Sequence, residues 1–206
     1  MILRSYARNI STEARKKVFL NDINVNDDCN MDGDVLEEYI QALKDLYIIK
    51  DIDAWNPNFR SQTAIITTPT RHFVDTSIAM GALNMSPHDL MNDTHSFGLF
   101  FEDFAVKELS IYSQSLKGEI RHYRDSNGLE CDAVLHLKNG QYALIEIKLG
   151  GENLINQGIN KLNLLKEKIK DSQQTLPAFC MILTACGNAY TTKDGIYVVP
   201  INMLKD

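Results

Sequence analysis

Nowhere does this 206-residue chain run to the ~20 consecutive apolar residues that a membrane-crossing helix requires. Its polar opening, MILRSYARNISTEARKK, also lacks the apolar core and cleavage site of a secretory leader. Both absences lead us to expect a cytoplasmic protein with no membrane partner. Cysteine is scarce as well. Cys29, Cys131, Cys180 and Cys186 form no C-x-x-C pair and have no companion histidine pair. A disulfide scaffold and a zinc site are therefore disfavoured, and free thiols packed as small hydrophobes are expected. Nor is there a surplus of positive charge. Net charge is −6, with nine Lys/Arg against fourteen Asp/Glu in residues 1–95 and twelve against thirteen thereafter. Neither half is a nucleic-acid-binding domain by bulk charge, so any polyanion must use local patches. Arg4, Arg8, Arg15, Lys16 and Lys17 form one such patch, and Lys161, Lys166, Lys168 and Lys170 another. There is no G-x-x-x-x-G-K-[ST] phosphate loop, internal repeat or low-complexity segment.

What the chain does have is 44% hydrophobic residues, enough for a core in one large or two small domains. DVLEEYIQALKDLYII is the clearest helix: Asp34 caps it, Glu37 completes a capping box, and Leu36, Ile40, Leu43 and Tyr47 recur at helical spacing. ILRSYARNI and TEARKKVFLNDI predict two shorter helices upstream. YIIKDIDAW and TAIITTPTRHFV predict two strands separated by a turn at NPNFRSQ. Three helices and then a two-stranded ribbon is the order of a winged helix-turn-helix. In a DNA reader the third helix enters the major groove, yet here it carries Asp34, Glu37, Glu38 and Asp45 against Lys44 and Lys50. Phosphates would repel it, which favours packing or partner docking over sequence reading. The polar NMSPHDLMNDTHS then marks a boundary between a winged-helix-like module, 1–88, and a second domain, 89–206.

That second domain alternates in type. FGLFFEDFAVKELSIYSQ predicts a helix, EIRHYRD a strand, and CDAVLHL with YALIEIKL a hairpin around Lys138-Asn139-Gly140. NLINQGINKLNLLKEKI returns to a helix, with Ile155, Ile159, Leu162, Leu165 and Ile169 on one stripe, and FCMILTA and IYVVPI supply two more strands. The order α-β-β-β-α-β-β implies an α/β fold with helices against a mixed sheet.

Four charges interrupt the apolar hairpin. A period of two puts Glu146 and Lys148 on one face of their strand, opposite Ala143, Ile145, Ile147 and Leu149, and puts Glu130 and Asp132 on one face of the neighbouring strand. Charges in such a sheet must be solvated, paired or gathered around a cation. Asp132, Glu146 and the carbonyl of Ile147 form an oxygen set suited to Mg²⁺ or Mn²⁺. Lys148, beside them, can hold or help deprotonate an attacking water and stabilise charge on a phosphate. The pattern matches metal-assisted phosphodiester hydrolysis, with a solvated Glu-x-Lys edge as the alternative. On the preceding helix Glu102 shares a stripe with Ala105, Val106 and Leu109, while Asp103 falls off it. Glu102 is therefore a ligand or a partner of Arg121 or Arg124.

Taken in order, Glu102 on a helix, LECD with Asp132, EIK with Glu146 and Lys148, and a helix carrying Gln157 resemble the PD-(D/E)XK nuclease superfamily. Its members include restriction enzymes and archaeal Holliday-junction resolvases. The resemblance implies a restriction-endonuclease-like α-β-β-β-α-β core, with Glu102, Asp132 and Glu146 as metal ligands and Lys148 as the catalytic lysine. Glu130 and Gln157 would support the ligands or contact nucleic acid. Cys131 stands in place of the superfamily's Pro, and Lys161 where related exonucleases often carry Tyr.

More narrowly, RSYARNIST, YIQALKDLYIIKDIDAWNPNFRSQTAI, RHFVDTSIA, FGLFFEDFAVKEL and HYRDSNGLECDAVLHLKNGQYALIEIKLG resemble the C-terminal region of a large family of prokaryotic AAA ATPases. That region is a domain of unknown function, a winged helix followed by a nuclease-like domain. With no phosphate loop, the chain is expected to be the ATPase-free C-terminal part, working with an ATPase module in cis or in trans. Three readings stand. The first is a Mg²⁺-dependent nuclease acting on DNA. The second is a non-catalytic module that docks a partner or the ATPase. The third is a transcriptional regulator using the winged helix, against which the acidity of residues 34–50 argues.

Overall fold

Three amphipathic segments open the chain as helices α1 (Ile2–Arg8), α2 (Lys16–Asp27) and α3 (Gly33–Asp45). They come from a computed structural model that describes residues 1–27, 30–57, 65–172 and 174–205. The cap of α3 lies earlier than Asp34: Asp32, extended just ahead of the first turn, accepts the Asp34 amide through its carboxylate at 2.8 Å. Asp34 instead meets Lys16 at 3.2 Å. Leu36 of the predicted stripe is buried, whereas Tyr47 lies past the helix end with φ of 54° and is exposed. The chain leaves the helical path there, so helical spacing no longer applies. Two short helices follow, α4 (Thr76–Leu83) and α5 (Pro87–Asn92), then the long α6 (Thr94–Ser115).

The expected two-stranded ribbon is not continuous. Single bridges pair Ile49 with Phe73 and Ile52 with Thr70, but Ala54 bridges to His122 and Ile65 to Asp125. The reason is competition for hydrogen bonds. Trp55 N donates to His122 O at 2.6 Å, His122 N to Asp53 O at 3.0 Å and Ile66 N to Arg124 O at 3.0 Å, so an open strand edge takes up the groups a ribbon would have paired. Cys29 and residues 58–62 of the NPNFRSQ turn lie outside the described residues.

The chain divides into two compact units, Met1–Ile52 with Thr68–Lys107 and Asp53–Thr67 with Glu108–Asp206. In the first, Tyr6 stacks on Phe19 at 5.4 Å and meets Phe73 edge-on at 5.5 Å, over a core that includes Ile23 and Leu36.

The second unit is built on a six-stranded mixed sheet. Its strands are β1 (Gly118–Arg124), β2 (Glu130–Leu137), β3 (Tyr142–Lys148), β4 (Phe179–Thr184), β5 (Tyr190–Thr191) and β6 (Tyr197–Pro200), in spatial order β1-β2-β3-β4-β6-β5. The first three run antiparallel, β3-β4 and β4-β6 are parallel, and β5 returns antiparallel on β6. Helix α7 (Glu152–Asp171) makes the β3-to-β4 crossover, and its Leu162, Leu165 and Ile169 pack on Leu144, Ile182 and Val198. Strand β3 is buried through its first six residues, as a strand covered on both faces must be. The β1-β2 turn is fixed by buried Asp125, whose carboxylate accepts the Asn127 amide at 2.8 Å, the Leu129 amide at 3.1 Å and the Lys168 ammonium. Among the described residues no helix is long and apolar enough to cross a membrane. Cys131, Cys180 and Cys186 are free thiols, the first two buried.

Candidate functional site

The backbone ladder between β2 and β3 runs from His136–Tyr142 to Ala133–Ile145. Beyond it, side chains of β2 take over. Asp132 Oδ2 accepts the Ile147 amide at 2.7 Å, and the Cys131 thiol donates to the Ile145 carbonyl at 3.4 Å. Where β2 parts from β3, while β3 stays paired with β4, Asp132, Glu146 and Lys148 come together.

The Lys148 ammonium is their centre. Nζ lies 2.8 Å from Asp132 Oδ2, 2.8 Å from Glu146 Oε2 and 2.9 Å from the Ile147 carbonyl. Glu146 is wholly buried, and neither of its carboxylate oxygens accepts an aligned hydrogen bond, so its contact with Lys148 is one of charge rather than of hydrogen-bond geometry. From α7, Lys161 Nζ donates to Glu130 Oε1 at 2.6 Å and stands 3.7 Å from Glu146 Oε2. Arg124 on β1 closes the rim at 3.3 Å from Glu130 Oε2.

Helix α7 comes this close because residue 158 is glycine. A Cβ there would lie 2.8 Å from Ile182 Cδ1, 3.5 Å from Glu146 Cβ and 3.8 Å from Lys148 Cε. Bare backbone thus forms the wall beside the two site residues.

Burial pushes the Glu146 carboxyl up to about 7, the Asp132 charge adds to the rise, and Lys148 and Lys161 pull against it. Burial also acts to lower the Lys148 ammonium, but Asp132 and Glu146 outweigh it and hold that group above its ordinary value. Lys161 is raised in the same way, against its burial, by Glu146, Glu130 and Asp132. Burial, then the neighbouring Glu146 and Asp132, push the Cys131 thiol well up, in keeping with its role as a donor.

The raised Glu146 carboxyl has a measurable consequence of definite sign. Between its unfolded value near 4.5 and its folded value near 7, the folded chain keeps a proton that the unfolded chain has released, so stability falls as pH rises through that window. Urea unfolding at pH 5 and pH 8 is expected to show the wild type losing about 3 kcal/mol more than Glu146→Gln, since a tenfold change in proton affinity is worth about 1.4 kcal/mol. Equal losses in the two proteins would contradict a raised Glu146.

The structure brings together Glu130, Asp132, Glu146, Ile147 and Lys148, and adds Lys161, which the sequence marked only as a departure from a tyrosine and as part of a basic helix face. Gln157 lies on the exposed side of α7. Glu102 is a half-buried residue of the first unit. The fully buried carboxylate of α6 is its neighbour Asp103, contrary to the single-stripe reading, because α6 is buried on more than one side. Arg121 and Arg124 pair with Glu119 and Glu130, at 2.7 and 3.3 Å. Among the described residues no three His, Cys, Asp or Glu side chains are grouped to hold a metal ion; the third oxygen here is a backbone carbonyl.

Residues 97–204 match DUF4143, a domain of unknown function. The chain belongs to the DUF4143 family. Its DUF4143 segment contains every residue of the cluster around Lys148, and residues 1–89 match a second domain of unknown function, DUF8612. No curated protein and no solved structure matches the chain.

Proposed function

We propose that the DUF4143 segment is a PD-(D/E)XK-type nuclease domain that hydrolyses DNA phosphodiester bonds with Mg²⁺ or Mn²⁺, driven or regulated by an ATPase module in cis or in trans. The observation that carries this reading is the convergence of Asp132 Oδ2, Glu146 Oε2 and the Ile147 carbonyl on one cationic atom, at 2.8, 2.8 and 2.9 Å. A buried carboxylate with no aligned donor at either oxygen supports it further, since a hard cation satisfies such oxygens without alignment. A divalent ion held by these donors would supply Lewis-acid polarisation of a phosphoryl oxygen and a more acidic bound water. Lys148 orients the attacking water and balances charge on the phosphate, while Lys161 and Arg124 give the rim the positive character that draws a phosphate in.

Calorimetric titration with Mn²⁺ tests the donor set. Heat of binding is expected with the wild type and lost with Asp132→Asn, whose amide oxygen still accepts the Ile147 N–H but carries no charge. Undiminished binding to the Asn variant would remove Asp132 from the site.

One observation favours a second role for the other unit. Helix α3 buries Leu36 but exposes Val35 and Tyr39, with its cap Leu46, beside Glu38 and Asp45. An apolar stripe edged with acid suits a protein partner better than a phosphate backbone. Under this reading the chain is a non-catalytic docking module, and it would respond neither to Mn²⁺ nor to DNA.

A further inference from the structure

We propose that Lys148 is a tethered cation that occupies the position of the divalent ion, so that metal can bind only when the Lys148 ammonium leaves. The inference rests on the metal-site reading above and concerns how that site is regulated.

Three facts carry it. First, the oxygens around Nζ, from Asp132, Glu146 and the Ile147 carbonyl, are the donors a metal would need, and the ammonium contacts all of them at 2.8 to 2.9 Å. Second, a divalent ion would sit about 2.1 Å from those oxygens, far too close to a retained ammonium for two cations to share the site. Third, the ammonium has an exit. The Lys148 side chain keeps 16% of its surface exposed whereas that of Glu146 keeps none, so the flexible four-carbon stem of lysine can carry the ammonium outward to solvent. Lys161 remains on Glu130 at 2.6 Å, so one cation stays at the rim when the other moves.

Metal entry and release of the lysine are then a single event. A phosphate arriving at the site attracts the same ammonium, so an anionic substrate and the metal strengthen each other's binding, and by linkage the coupling is equal in both directions. The lysine becomes free to serve the reaction only once the metal is in place.

The test compares Mn²⁺ binding to the full chain and to its Lys148→Met variant by calorimetry, with circular dichroism as the folding control. The proposal expects Kd to be at least about 10-fold tighter in Lys148→Met, because the competitor has been removed. Equal or weaker binding in the variant, with clear binding in the wild type, would overturn the competition and leave the metal site standing. Heat in neither protein up to millimolar Mn²⁺ would overturn both. Should Lys148→Met fail to fold, acetylation of the wild type followed by mass spectrometry decides the matter. Lys148 is expected to react several-fold faster with Mn²⁺ present, relative to the exposed Lys117. An unchanged rate would overturn the proposal.

Discussion

Supercoiled plasmid incubated with Mg²⁺ or Mn²⁺ is expected to be cut about 10³-fold more slowly by Asp132→Asn than by the wild type, and about 10²-fold more slowly by Lys148→Met. The choice of asparagine matters. Asp132 accepts the Ile147 amide at 2.7 Å just where the β2-β3 ladder ends, so alanine would remove an architectural hydrogen bond together with the charge. Asparagine keeps an acceptor there and removes only the carboxylate's charge. Lys148→Met separates binding from chemistry: if the lysine both blocks the metal and serves the reaction, this variant takes up Mn²⁺ more tightly yet cuts poorly. Wild-type cleavage that survives both substitutions would mean that another site, or a contaminant, does the cutting.

Replacing Asp103 by alanine is expected to cost about 4 kcal/mol in urea unfolding, the largest stability loss foreseen for a single side chain of the first unit. Its carboxylate is fully buried and accepts the Phe73 amide at 2.9 Å, the Thr76 hydroxyl at 2.6 Å and His72 Nδ1 at 3.2 Å. A carboxylate only accepts, so Nδ1 donates, and the other ring nitrogen meets the Thr70 hydroxyl at 3.0 Å. Alanine would strand the Phe73 N–H and the His72 N–H in the interior. Asp103→Asn, which keeps one acceptor oxygen, should lose only about half as much. A loss below about 1 kcal/mol for the alanine variant would mean that water replaces the carboxylate with little cost.

How far the sequence foretold these features depends on whether the deciding interaction is local. Glu146 and Lys148 were legible because a period of two fixes the face of a strand regardless of what packs on it. Leu162, Leu165 and Ile169 were legible for the same reason on a helix with one buried side. Asp103 was not, because a single stripe cannot say which of several buried sides of α6 a carboxylate faces. The pairing of Asp53–Trp55 and of Ile65–Ile66 with β1 and its end was hidden too. Its partners lie about sixty residues away, and the same stretch reads equally well as half of a ribbon. Lys161 carries no local mark that would aim it at Glu130.

Helices α4 and α5 are a different matter. Asp75 caps the first by accepting the Ser77 amide at 2.9 Å, and Asn84 ends it in the left-handed region. Ser86 and Asp89 form a capping box, with Pro87 in the first turn of the second. Those signals stand in the sequence, and the polarity of the segment from Asn84 masked α5.

Gly158 gives the site a control that carries no charge and touches no substrate. Because bare backbone faces Glu146 and Lys148 on the α7 side, the closeness of that helix is fixed by an atom that is absent. Alanine or serine at this position would press first on Ile182 Cδ1, 2.8 Å from the added Cβ, and would have to lift the helix or shift that side chain. Small steps in bulk at one helical position thus offer a way to set how closely α7 lies over Glu146 and Lys148, with both of those side chains left unaltered.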